Sequence, residues 1–130
     1  MANAVAKLLV ELEPPVMMTC AEGTGIAKGT ILALSDPMTV AASSGDNDIF
    51  GGIAAEEKIA SDGKTKIAVY LRGIFACESN GTTTVGKDQV VKALNELADY
   101  TSNDNELGYV VGRALETAAD GETFVCYVGA

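Results

Sequence analysis

The chain has no histidine and no tryptophan, and aromatic residues make up only 5% of its 130 positions. Without histidine there is no Ser-His-Asp or Cys-His machinery, and the usual general base near neutral pH and the commonest metal ligand are both missing. Cysteine is sparse too. Cys20, Cys77 and Cys126 are odd in number, far apart and without a C-x-x-C spacing, which argues against a disulfide framework and against a zinc site. They are expected to be free thiols acting as small buried hydrophobes. No apolar run approaches the roughly 18 residues that a membrane-spanning helix needs. The opening stretch "MANAVAKLLVELEPP" is interrupted by Glu11 before a signal-peptide core can form, so a soluble protein made in the cytoplasm is expected.

What is present is aliphatic and acidic. Apolar residues reach 48%, so the core has to be assembled from Ala, Val, Ile and Leu. A single domain of this length buries about two-thirds of its unfolded surface and needs no covalent staple. The formal charge of −9 repels phosphate backbones, which excludes nucleic acid and anionic membranes as expected partners.

Period-two alternation dominates the chain. In "KIAVYLRG", Ile67, Val69 and Leu71 share one face while Lys66, Ala68, Tyr70 and Arg72 share the other, the pattern of a half-buried strand. "GIFACE" continues after Gly73, and "TFVCYVG" repeats the pattern near the C-terminus. Asp62-Gly63 and Asp120-Gly121 precede these runs as hairpin-turn signals. An internal echo connects the halves. "GIAAEEKIASDGKTKIAVY" and "GRALETAADGETFVCY" both carry G-x-A-x-E (Gly52, Ala54, Glu56; Gly112, Ala114, Glu116), then D-G-x-T, then an apolar strand, at a spacing of about 58 to 60 residues. Duplicated β units closing into a barrel or small sandwich follow from that order. The fold class is therefore mainly β, a small single domain with at most one short helix. That helix is a turn after Lys92, where Val91, Leu94, Leu97 and Ala98 have helical spacing. The Ser-, Asn- and Asp-rich stretches "SDPMTVAASSGDNDIF" and "YTSNDNELG" read as connections. Pro14-Pro15 cannot lie inside a central strand, and divides the chain into an extended N-terminal arm, residues 1–15, and a β-rich body, residues 16–130.

Candidate chemistry is thin. "EGTGIAKGT" places Lys28 before Gly29, the wrong order for a Walker loop, and its glycines read G-x-G-x-x-x-G rather than the dinucleotide fingerprint; it is a turn that launches a strand. Glu56-Glu57 and Glu11/Glu13 are paired carboxylates in sequence, but neighbours on a strand face opposite ways. Asp46, Asn47 and Asp48 suggest half a calcium loop, but Gly51 to Ala55 reads as a strand rather than as the rest of such a loop. Met17, Met18 and Cys20 contain soft ligand types but fit a buried strand end better. No catalytic, cofactor-binding or metal-binding residue is assigned, and an enzyme is not expected.

The ordered series "GIAKGTILAL", "DP-x-TV", "FGGIAAEE", "KIAVYLRGIFAC", "VGKDQVV" and "GYVVGRALETAADGETFVCYV" resembles the capsid decoration, or cement, proteins of tailed bacteriophages and related viruses, over about residues 23–129. The resemblance implies a β-barrel-like or β-tulip body on the outer surface of the virion, made in the host cytoplasm. It also implies a homotrimer over three-fold positions whose partner is the major capsid protein, clamped to stabilise the expanded shell.

A histidine-free acidic β domain with no catalytic cluster agrees with that role. The arm offers two readings. Leu8, Leu9, Val10, Glu11 and Leu12 can add a strand to a capsid subunit's sheet edge, or the arm can be the first strand of the barrel itself. The alternative function is a cellular β-barrel module that binds a small ligand, sugar or peptide.

Overall fold

The computed structural model describes residues 5–36, 38–44, 48–100 and 110–129. Among the described residues eleven strands follow one another: β1 (Lys7–Glu11), β2 (Val16–Thr19), β3 (Ile31–Asp36), β4 (Thr39–Ala42), β5 (Phe50–Ala54), β6 (Lys66–Tyr70), β7 (Gly73–Ser79), β8 (Asp88–Ala93), β9 (Glu96–Asp99), β10 (Val110–Ala114) and β11 (Thr123–Val128). Among the described residues there is no helix. Alternation sets the burial as expected: on β6, Ile67 and Val69 are fully buried between more exposed neighbours, and on β11 Phe124, Cys126 and Val128 are fully buried.

The halves form two barrels of identical topology. Strands β2-β4-β3-β5-β6 close into the first, with β2 and β4 parallel and the other pairs antiparallel. Strands β7-β11-β10-β8-β9 form the second, closed by the parallel β7–β9 pairing. The registers superimpose residue by residue. Leu32 faces Ala42 as Gln89 faces Asp99, Val16 faces Val69 as Phe75 faces Cys126, and Ala54 faces Val69 as Ala114 faces Cys126. Even the isolated bridges match, Ile26 with Lys58 and Thr83 with Ala118.

That duplication explains the G-x-A-x-E echo. A Cβ on Gly52 would collide with the Val69 side chain, and one on Gly112 with the Tyr127 carbonyl, so both strands approach a neighbour where only glycine fits. Two residues past each β-strand, the glutamate extends the ladder: Glu56 Oε2 accepts the Ala68 amide at 2.9 Å and Glu116 Oε1 accepts the Val125 amide at 3.1 Å. The Asp-Gly turns hold Gly63 and Gly121 at φ of 83° and 81°.

Two sequence expectations need correction. The segment with helical spacing after Lys92 is the β8–β9 hairpin, turned by Asn95 at φ 62°. Val91 on β8 and Leu97 on β9 are both fully buried, while Leu94 between them is exposed in the turn. The stretch 35–50 is not all connection, since it contains β4. Most of the second connection, residues 101–108, lies outside the described residues.

The barrels pack head to tail. Ile31 and Ile53 face each other on β3 and β5 of the first barrel, yet both are completely buried within the hydrophobic cluster of the second, beside Phe75, Val91 and Val111. The first barrel keeps its own core of Met18, Cys20, Leu32, Val40, Ile67 and Val69. At the positions matching Ile31 and Ile53, the second barrel carries Asp88 and Arg113, paired with each other and exposed. One side wall of the first barrel thus plugs one end of the second. The relationship is not a two-fold. Burying the two isoleucines contributes up to about 1.5–3 kcal/mol each.

Candidate functional site

The arm does not complete either barrel. β1 runs antiparallel along β7, with Lys7 opposite Ala76, Leu8 opposite Phe75, Val10 opposite Ile74 and Glu11 opposite Gly73. It is the terminal strand of its sheet, so its outer edge offers backbone groups to a further strand. The arm is also fastened to the first barrel. The Ala6 amide donates to the Gly29 carbonyl at 2.9 Å, and Tyr70 Oη donates to Glu11 Oε1 at 3.3 Å. Burial and the Glu11 carboxylate together push the Tyr70 phenol above its ordinary value. Gly29, at φ 90°, leaves no room for a Cβ against the Ala6 carbonyl. Its counterpart Gly86, at φ 87°, faces open space. The first-barrel glycine therefore has a second role: it is where the arm touches down.

The five arm residues singled out in the sequence are distributed unevenly. Leu8 is half-buried against the second barrel's core, while Leu9, Val10, Glu11 and Leu12 are exposed. Val5 is also exposed, so the arm displays a row of aliphatic side chains to solvent, alongside an open groove of about 590 Å³ lined by Val5, Ala6, Lys7, Leu8 and Lys28. Exposed aliphatics collected on an unpaired edge are more informative than the same residues scattered.

The other candidates do not assemble. Glu56 is occupied by the Ala68 amide, and Glu57 is exposed beside it. Asp46 and Asn47 lie outside the described residues, and Asp48 Oδ2 accepts the Ser44 amide at 2.7 Å. Met17 is exposed whereas Met18 and Cys20 sit in the first core. Among the described residues no group of three or more metal-ligating side chains gathers, and no helix is long and apolar enough to cross a membrane. The glycine-rich loop 22–30 ends in a tight turn, Thr30 amide to Ala27 carbonyl at 3.1 Å, that leads into β3.

All three cysteines are free and buried. The Cys77 thiol is held well above its ordinary value by its hydrogen bond with Cys126 and by burial, and burial pushes the Cys20 thiol up. Neither is an activated nucleophile.

Sequence reading missed a buried lysine. Lys58 Nζ is capped by the Glu22 carbonyl at 2.7 Å, the Ile59 carbonyl at 3.1 Å and Asp62 Oδ1 at 3.2 Å. The Lys64 amide and Lys58 hold the Asp62 carboxyl below the usual carboxylate range. With its donors taken up by the loops that close the first barrel, Lys58 is a structural plug. Its counterpart in the second barrel is the buried Ala118.

Comparison with known proteins agrees with this architecture. The head fiber gp8.5 N base of bacteriophage phi29 superimposes with a TM-score of 0.57 at 14% identity, covering 88% of this chain and 92% of that one. At that identity the likeness establishes a shared fold. No curated protein sequence matches the chain. The phage cement protein family matches residues 13–129, both barrels from the proline break to the end of β11. The chain, a tandem pair of β-barrels strapped by an N-terminal strand, belongs to the phage cement protein family.

Proposed function

We propose that this protein is a structural component of the virion that binds the outer surface of the assembled phage head, as a homotrimer, and ties neighbouring capsid subunits together. Residues 1–15 serve as the capsid-directed arm and residues 16–130 as the decoration body. Family membership across the whole body supports the role. The observation that carries the mode of attachment is the terminal position of β1 in its sheet, with Leu9 and Val10 exposed on it and Leu12 exposed just past its end.

A capsid strand added beside β1 would gain main-chain hydrogen bonds, each worth about 0.5–1.5 kcal/mol net, and would cover the exposed aliphatics of the arm. Because β1 is already ordered on β7, that addition avoids most of the cost of fixing a loose segment, about 1–2 kcal/mol per residue. Attachment at three equivalent points would convert modest single-site affinity into tight binding. Sedimentation of the purified protein with heads stripped of it tests the reading. Saturable binding to expanded heads is expected, and no binding at any concentration would overturn it.

A further inference from the structure

The head-to-tail packing leaves one end of the first barrel without the cover that its counterpart has. In the second barrel, the end bounded by Phe75, Val91 and Asn95 is sealed by Ile31 and Ile53, with Leu8 of the arm also against Phe75, and Phe75, Val91 and Asn95 are 1%, 0% and 4% exposed. By the matching registers, the same positions in the first barrel are Val16, Leu34 and Met38. These are 37%, 37% and 52% exposed. Val16 and Leu34 lie toward one end because β2 runs parallel to β4 while β3 runs antiparallel to β4, and Met38, in the turn between β3 and β4, borders that end where its carbonyl accepts the Thr19 amide at 2.6 Å. Ile49, 47% exposed, borders the same end through the Leu34 amide, which donates to its carbonyl at 2.9 Å.

We propose that this open end is a second capsid-docking socket, seated by an aliphatic β-sheet face of the capsid subunit in the way that Ile31 and Ile53 seat in the second barrel. The proposal rests on the cement reading and adds to the arm a contact on the opposite repeat. The internal interface shows what such an end accepts: a cross-strand pair of branched aliphatic side chains from a sheet wall, with a polar turn side chain binding an amide at the rim. A second copy of this chain does not supply that face. Its Ile31 and Ile53 are already buried, and the equivalent wall of its second barrel presents Asp88 and Arg113. Mutual repulsion of chains carrying −9 each further disfavours self-stacking. Head-to-tail contacts that do not close would otherwise polymerise, and the Asp88–Arg113 wall stops that series after two barrels.

The test compares wild type, Leu34→Glu and Met38→Asp for binding to stripped heads, with Leu115→Glu on the second barrel as a control at another exposed aliphatic position. Met38→Asp guards against misfolding. Met38 has φ 54° and is already exposed, and aspartate tolerates that backbone better than methionine does. Both socket variants should keep the wild-type melting curve and bind heads about tenfold or more weakly, as loss of a buried anchor does, with the control unchanged. Wild-type affinity in a folded Met38→Asp and a folded Leu34→Glu would overturn the socket alone. So would loss of self-association in sedimentation velocity with head binding intact, because the socket would then receive another copy. Failure of wild type to bind heads at all would overturn the cement reading and the socket with it.

Discussion

The amide of Ile31 donates to the side-chain carbonyl of Asn95 at 2.8 Å, across a sequence separation of 64 residues and between the two barrels. Both residues are buried. Asn95 turns the β8–β9 hairpin in a left-handed conformation and simultaneously satisfies a backbone donor on the wall that plugs its own barrel. One side chain thus serves the local turn and the joint between repeats.

Replacing Asn95 therefore separates two effects. Asn95→Gly keeps the backbone relaxed but orphans the Ile31 amide, for an expected loss of about 1–3 kcal/mol. Asn95→Ala adds left-handed strain of about 1–2 kcal/mol. Chemical denaturation should rank wild type above Asn95→Gly above Asn95→Ala; an unchanged midpoint in both variants would show that the joint does not depend on this contact.

Gly29 and Gly86 form a matched pair for measuring how the arm is held. Both have φ near 90°, yet only Gly29 meets the Ala6 carbonyl. Gly29→Ala should cost more stability than Gly86→Ala and should speed cleavage of the arm in limited proteolysis. Equal behaviour of the two would mean that the arm is not anchored there.

The thiols give a pH prediction. The Cys126 contact and burial raise the Cys77 thiol above the ordinary thiol value, and burial raises the Cys20 thiol. A raised folded value contributes stability that is full below the unfolded value and is lost as pH climbs through the folded one. With reductant present, the melting temperature should decline above roughly pH 8.5, the unfolded thiol range. Native protein at pH 7.5 should label at most one thiol quickly, and denatured protein all three. Rapid native labelling of Cys77 or Cys126 would contradict their place in the core.

The arm and the body should respond differently to change. Leu9→Glu and Leu12→Glu alter exposed side chains and should leave the unfolding free energy within about 0.5 kcal/mol of wild type while weakening attachment to heads. Deleting residues 1–13 removes β1 and uncovers Phe75, so it should lower the melting temperature as well as abolish attachment. A truncated protein that is fully stable and binds heads normally would remove the arm from the account.

Much of this architecture was legible in the sequence, and particular residues show where legibility stopped. The G-x-A-x-E and D-G-x-T echoes marked the duplication because each records a backbone requirement: glycine under a crossing strand, glutamate finishing a ladder, Asp-Gly turning left-handed. Ile67, Val69, Phe124 and Cys126 announced their burial by alternation. The β8–β9 hairpin did not, because the buried Val91 and Leu97 and the exposed turn residue Leu94 together imitate helical spacing. The arm's location depended on Gly29, which looks the same in sequence as Gly86 although only one is touched. The joint was hidden for a related reason. Ile31 and Ile53 differ from Asp88 and Arg113, but a difference between repeats becomes meaningful only once the registers are known. Lys58 was unreadable because burial of a lysine depends on carbonyls gathered from residues 22 and 59.

The most direct measurement is a reconstruction of expanded heads from the encoding phage, with and without this protein, together with their resistance to heat. Density is expected for both barrels on the outer surface in groups of three, with β1 lying against a capsid strand, and heads that lack the protein should rupture earlier. Heads that carry no external density for it, and that withstand heating equally well without it, would contradict the account.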